Sequence, residues 1–169
     1  SLHWAGIADI LNAVETWAEV TTGFVAAKGP NAIFSADGEH TWIVGDGGYI
    51  YFTADPSSGV TVQDAGVATV QNLTAIHGLD SMDLIATGAS NTVLVTTNGG
   101  DTWASVTGPV AASLDACWMR SDSEWFVGTS TGRLFYTRDA GGTWIEKLFP
   151  GSGAGVVYDI KFSSPTVGY

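Results

Sequence analysis

Short apolar runs broken by Gly, Asp, Asn and Ser follow one another along the chain. Runs of this kind, rich in Val, Ile, Thr and aromatic residues, predict short strands joined by tight turns. The runs keep a long period. WIVG, LIATG and WFVG end at Gly45, Gly88 and Gly128, 43 and 40 residues apart. Each leads through a turn into a second run: YIYFT (Tyr49–Thr53), TVLVT (Thr92–Thr96) and RLFYT (Arg133–Thr137). Twelve residues before each glycine stands Ile33, Ile76 or Ala116, in an apolar stretch that predicts an earlier strand. DGGY, Asp46–Tyr49, reads as the tight hairpin turn of the first unit.

A turn sequence completes the unit. TTNGGDTW aligns under TRDAGGTW with an offset of 41 residues, pairing Thr96 with Thr137, Asn98 with Asp139, Gly100 with Gly141, Thr102 with Thr143 and Trp103 with Trp144. TADPSSGVTV keeps the Thr and Asp55 with an altered turn, and ILNAVETW keeps Asn12 and the Thr16-Trp17 ending. VYDIKF, from Val157, starts the unit once more. Four short strands repeating every 40 to 45 residues predict an all-β fold, a β-propeller of four-stranded antiparallel blades. A β-sandwich would show close strand spacing without a fixed long period. The expected divisions are a half blade at 1–20, blades at 21–66, 67–110 and 111–152, and the start of a blade at 153–169. Within the turn, Asp139 is suited to accept backbone N–H bonds, Gly141 to supply a positive φ, and Trp144 to fold back between blades.

TRDAGGTW resembles an intact Asp-box, the bacterial neuraminidase repeat, and TTNGGDTW is a close variant. FSSPTVGY, Phe162–Tyr169, is similar to the blade opening of photosystem II assembly factor-like propellers. The resemblance implies a family of sialidase-like, endoglucanase, receptor, assembly-factor and phage virion propellers, so it implies a fold rather than one activity. The virion or cell-surface, extracytoplasmic location expected here rests on that resemblance alone.

Net charge of −11, from 17 acidic and 6 basic residues, excludes a phosphate backbone as a favoured partner. No apolar run approaches the roughly 20 residues that a membrane helix needs, and no signal-peptide pattern opens these residues. Cys117, the single cysteine, lies in the apolar run DACWM and reads as a buried thiol. His3, His40 and His77 form no ligand spacing, so neither metal nor cofactor is expected. The sequon at Asn72 is assigned no role.

A sialidase site needs convergent arginines, whereas Arg133 and Arg138 fall on a third strand and its turn, leaving Arg120 alone after a first strand. A glycoside hydrolase, the alternative reading, needs two carboxylates about 5–10 Å apart. Asp37 and Glu39, Asp80 and Asp83, and Asp122 and Glu124 recur in the loops after the first strands, where solvated acids commonly sit. With Arg120 they form the expected ligand face. The preferred function is a non-catalytic recognition or assembly scaffold for protein or glycan, in a larger homo- or hetero-oligomeric assembly.

The two ends of the sequence carry complementary half blades, GIADIL and TWAEV at one and VYDIKF at the other. Either they share one blade in a four-bladed ring, or the chain is a window on a larger propeller. Because Tyr169 falls inside an expected strand, the window is preferred. It predicts that the native polypeptide is heavier than 17.6 kDa, which its intact mass will show.

Overall fold

The computed structural model describes residues 22–164 and 167–168. The half blade expected over 1–20, with His3, and the closing Tyr169 lie outside the described residues. Three antiparallel four-stranded sheets make up nearly all of the fold. The first holds β1 (Pro30–Ser35), β2 (Thr41–Gly45), β3 (Tyr49–Thr53) and β4 (Thr61–Ala65). The second holds β5 (Leu73–Gly78), β6 (Leu84–Gly88), β7 (Thr92–Thr96) and β8 (Ala104–Thr107). The third holds β9 (Leu114–Met119), β10 (Trp125–Thr129), β11 (Leu134–Thr137) and β12 (Ile145–Lys147). Each is a simple meander in chain order, and β13 (Phe162–Ser164) pairs with β14 (Val167–Gly168) to begin another. The only helical pieces among the described residues are short 3-10 turns at Asp46–Gly48, Pro56–Ser58 and Ala89–Asn91. The fold is a partial β-propeller.

Strand parity explains how the sheets stack. Side chains alternate across a strand, so neighbouring residues face opposite sheets. In the second sheet Leu84, Ala86 and Leu94 join Trp42, Val44 and Ile50 of the first sheet in one core cluster. Ile85 and Val93, one residue out of phase, pack with Leu114, Trp125, Val127 and Phe135 of the third. The second strands therefore have both faces covered; every residue of β6 is buried. Fourth strands stand at the rim, and β4, β8 and β12 are largely exposed. First strands lie inside, where β1 touches β5 and β5 touches β9.

The recurring glycines at the ends of β2 and β6 have a steric cause. A Cβ on Gly45 would overlap the Gly29 carbonyl, and one on Gly88 would overlap the Asn72 carbonyl. Those carbonyls accept bonds from the Asp46 and Ala89 amides at 3.0 and 2.9 Å, tying the segment that enters each sheet to its second strand.

The turns between third and fourth strands are built around a buried threonine hydroxyl. Thr137 is fully buried; its Oγ1 donates to Asp139 Oδ1 at 2.7 Å and accepts from the Asp139 and Gly141 amides at 3.2 and 3.0 Å. Asp139 then accepts from the Thr143 amide at 2.8 Å and the Thr143 hydroxyl at 2.7 Å. Thr96, Asn98, Gly100 and Thr102 repeat the arrangement, with Thr96 Oγ1 donating to Asn98 Oδ1 at 2.8 Å and Asn98 Nδ2 donating to Thr102 Oγ1 at 3.0 Å. Gly100 and Gly141 sit at φ of 88° and 83°, which a side chain disfavours. The Trp144 indole donates to the Thr107 carbonyl at 2.9 Å across the sheet boundary, while Trp103 packs against the first core cluster. In the first sheet Asp55 takes over the clamp by accepting from Ser57 and Ser58, and Thr53 Oγ1 donates to the Asp55 carbonyl instead.

Removing the hydroxyl while keeping the shape, Thr137→Val, leaves the Gly141 amide and Asp139 without their common partner. A loss of about 1–3 kcal/mol is expected in urea unfolding, with Thr137→Ser retaining most of the stability.

Candidate functional site

In a meander the loops after first and third strands emerge at one end of the sheet. The expected ligand-face residues and the threonine turns therefore share an end, which the hydrogen bonds confirm. The Gly99 amide donates to the Met82 carbonyl at 2.9 Å, and the Ala140 amide donates to the Ser123 carbonyl at 3.0 Å. In the second and third sheets each pair of loops is thereby tied together.

Within these loops three of the six acids, Asp37, Asp80 and Asp122, accept hydrogen bonds from their own turns. Asp37 Oδ1 accepts from the Glu39 and His40 amides at 3.0 and 2.8 Å, and its other oxygen meets His40 Nδ1 at 2.6 Å. The His40 bond first, and the Glu39 amide next, hold the Asp37 carboxyl down at about 2. Asp80 Oδ1 accepts from the Met82 and Asp83 amides at 2.7 and 3.0 Å, which lowers its pKa. In the third sheet Ser121 Oγ takes that place, accepting from Glu124 N at 2.9 Å, while Asp122 accepts only from the Ser123 hydroxyl. Asp83 behaves differently: burial first, then the charges of Asp80 and Asp122, raise its pKa. Glu39, Asp101 and Asp122 are exposed.

The sequence separated Arg120 from Arg138, and the structure brings them together. Both reach Glu124, Arg120 Nη1 at 3.3 Å and Arg138 Nε at 3.4 Å. Arg133 is elsewhere, in a two-bond fork with Glu146 at 2.8 and 2.7 Å. Thus no arginine cluster is left open to hold a carboxylate.

A second feature lies where the first strands meet, and it includes His77. The first strands β1, β5 and β9 and the segment 158–161 border one cavity of about 360 Å³. His77 stacks on Trp118 with centroids 3.9 Å apart and accepts from the Met119 amide through Nδ1 at 3.2 Å. Burial lowers its pKa to about 4, against an opposing pull from Asp159. Cys117 borders the same space as a buried thiol, pushed up to about 12 by burial. Among the described residues no group of three His, Cys, Asp or Glu converges to hold a metal ion, and no helix is long and apolar enough to cross a membrane. Asn72 acts as a latch: its Oδ1 accepts from the Gly47 amide at 2.8 Å, joining the first sheet to the segment entering the second.

Comparison with known proteins bears on the fold. No protein-family model and no curated protein matches the chain. Among solved structures it is similar to YCF48 bound to D1 peptide, at 18% identity and a TM-score of 0.62, over 70% of this chain and 40% of that one. The computationally designed Ika4 protein matches at 15% identity and a TM-score of 0.66, covering 88% of this chain and 89% of the other. An ancestral GH74 enzyme, AFV00434, matches at 15% identity and 0.62, over 86% of this chain but 21% of its own. The chain thus spans less than half the length of YCF48. The likeness is to propeller architecture, found in both a peptide-bound protein and a glycoside hydrolase.

The histidine gives a pH test. With its folded pKa at about 4, below the ordinary 6.5, His77 contributes stability that is full above 6.5 and lost as the pH falls to 4, because only the unfolded chain binds the proton in that window. His77→Asn keeps an acceptor near Met119. The urea midpoint is expected to fall less between pH 7 and pH 4 in this variant than in the wild type.

Proposed function

We propose that this chain is a non-catalytic recognition module that binds a cationic protein partner through the end formed by its first-to-second and third-to-fourth strand loops. The observation that carries the reading is charge segregation. Asp37, Glu39, Asp80, Asp83 and Asp122 from one set of loops stand beside Asp55, Asp101 and Asp139 from the other, while Arg120 and Arg138 at this end are both paired with Glu124. The opposite end carries fewer acids, Asp46, Asp64 and Asp115, and they stand with Lys28 and Arg133. Such an end creates a negative field that steers a positive partner, and rigid loops limit the ordering cost of binding.

A protein partner is favoured over a glycan by the likeness to a propeller bound to a peptide. A glycoside hydrolase would need two carboxylates facing one substrate, and here Asp37 and Asp80 are occupied by their own turn amides. An assembly role, with a place on a virion or cell surface, belongs to the same reading.

The test is binding of the full chain to polylysine, with polyglutamate as the control, over a salt series. Binding to polylysine alone is expected, weakening as salt rises. Glu39→Lys, Asp101→Lys and Asp122→Lys together are expected to weaken it about tenfold or more, since each charge removed lowers the local field. Equal binding by this triple variant would refute the assignment of the face. Hydrolysis of a plant β-glucan panel by the wild-type chain would replace the proposal with the enzyme reading.

A further inference from the structure

The three loops that follow the first strands share one length and differ in chemistry. Ser35 pairs with Thr41, Gly78 with Leu84 and Met119 with Trp125, so each loop holds five residues: ADGEH, LDSMD and RSDSE. At the first and fourth positions the first sheet carries Ala36 and Glu39, and the third carries Arg120 and Ser123. The second carries Leu79 and Met82, which are 40% and 50% exposed. The turn is held without their side chains: Asp80 Oδ1 accepts from the Met82 and Asp83 amides, and the Leu79 amide donates to the Asp83 carbonyl at 3.0 Å.

The same loop is fixed from two sheets. Gly99, in the turn between β7 and β8, donates its amide to the Met82 carbonyl, and its own carbonyl accepts from the Trp42 indole at 3.1 Å and from Gln63 Nε2 at 2.7 Å. In the third sheet Ala140 donates in the same way to the Ser123 carbonyl, but Ile85 stands where Trp42 stands in the first sheet and offers no donor. Apolar side chains on a fixed loop lose little freedom when a partner covers them, and the unbranched thioether of Met adapts to varied surfaces.

Carboxylates flank this pair. Asp80 and Asp83 lie in the same loop, Asp101 lies two residues beyond Gly99, and Asp122 of the third sheet is near enough for its charge to act on Asp83. A partner offering only Lys or Arg would leave Leu79 and Met82 facing water, and one offering only apolar groups would strip water from the carboxylates without pairing them. Resting on the cationic-partner reading above, we propose that Leu79 and Met82 form the apolar centre of the acidic end, which takes a basic protein segment whose large aliphatic or aromatic side chain is flanked by Lys or Arg. The apolar contact supplies affinity at the centre, while the surrounding carboxylates set orientation and speed encounter.

Two lysine-rich peptides of equal length and net charge test this with the full chain, one carrying a central Leu-Leu pair and the other Ser-Ser. The Leu-Leu peptide is expected to bind about tenfold more tightly, with a ratio that holds as salt rises because apolar burial is not screened. Leu79→Ser with Met82→Ser, at an unchanged urea midpoint, is expected to bind both peptides with the wild-type affinity for Ser-Ser. Glu39→Lys, Asp101→Lys and Asp122→Lys together are expected to weaken both peptides alike. Equal binding of the two peptides by the wild type overturns the apolar centre and leaves the acidic face standing, as does a Leu-Leu preference that survives in the double Ser variant. Failure of both peptides to bind the wild type removes the cationic-partner reading itself, and the apolar centre with it.

Discussion

A four-stranded sheet with two apolar faces must be covered on both sides, and most of this structure follows from that constraint. Leu84 and Ile85 are adjacent in sequence, yet one packs with Trp42 and the other with Trp125. A shift of one residue in register would exchange those two cores. The glycines at 45 and 88 answer a constraint inside each sheet: at the irregular start of the first strand the entering backbone comes onto the second strand at a distance that leaves no room for a side chain. Where the third sheet meets no full neighbour among the described residues, the same parity leaves Phe126 and Tyr136 facing a groove.

The stacked sheets hold their end loops through threonine hydroxyls rather than through apolar packing. Thr96 and Thr137 are buried, and each hydroxyl joins the start of a turn to the glycine amide four residues on. Neighbouring loops are then locked by the bonds from Gly99 to Met82 and from Ala140 to Ser123. Asn98 closes the first of these turns as a neutral amide, whereas Asp139 closes the second and adds to the negative charge of the end. Asp139 is lowered in pKa first by the Thr137 hydroxyl and then by Thr143, so it remains ionised while serving as a clamp. Structure and electrostatic character are therefore supplied by the same residues.

The axis has different chemistry. First strands from three sheets border a common cavity, to which β5 brings His77 and β9 brings Cys117 and Trp118, and there burial favours the neutral imidazole and the neutral thiol. The Met119 amide bonding to Nδ1 places the imidazole proton on Nε2 and fixes the ring against Trp118. Charge accumulates at one end of the molecule, while His77 and Cys117 at the axis stay neutral.

The sequence by itself determined the repeat: the period of Gly45, Gly88 and Gly128 and the matched turns ending in Trp103 and Trp144 specify the strands, their order and the meander. These features were legible because turn chemistry and strand alternation are local, needing only a few consecutive residues. Local patterns hold no information about which loops share an end or which side chains meet across sheets. Only the tertiary structure joined Arg120 to Arg138 through Glu124 within the third sheet and brought His77 to Trp118 forty-one residues away. The first meeting comes from strand pairing that sets two loops of one sheet side by side, the second from stacking that brings first strands of successive sheets together, and neither leaves a trace in any single segment.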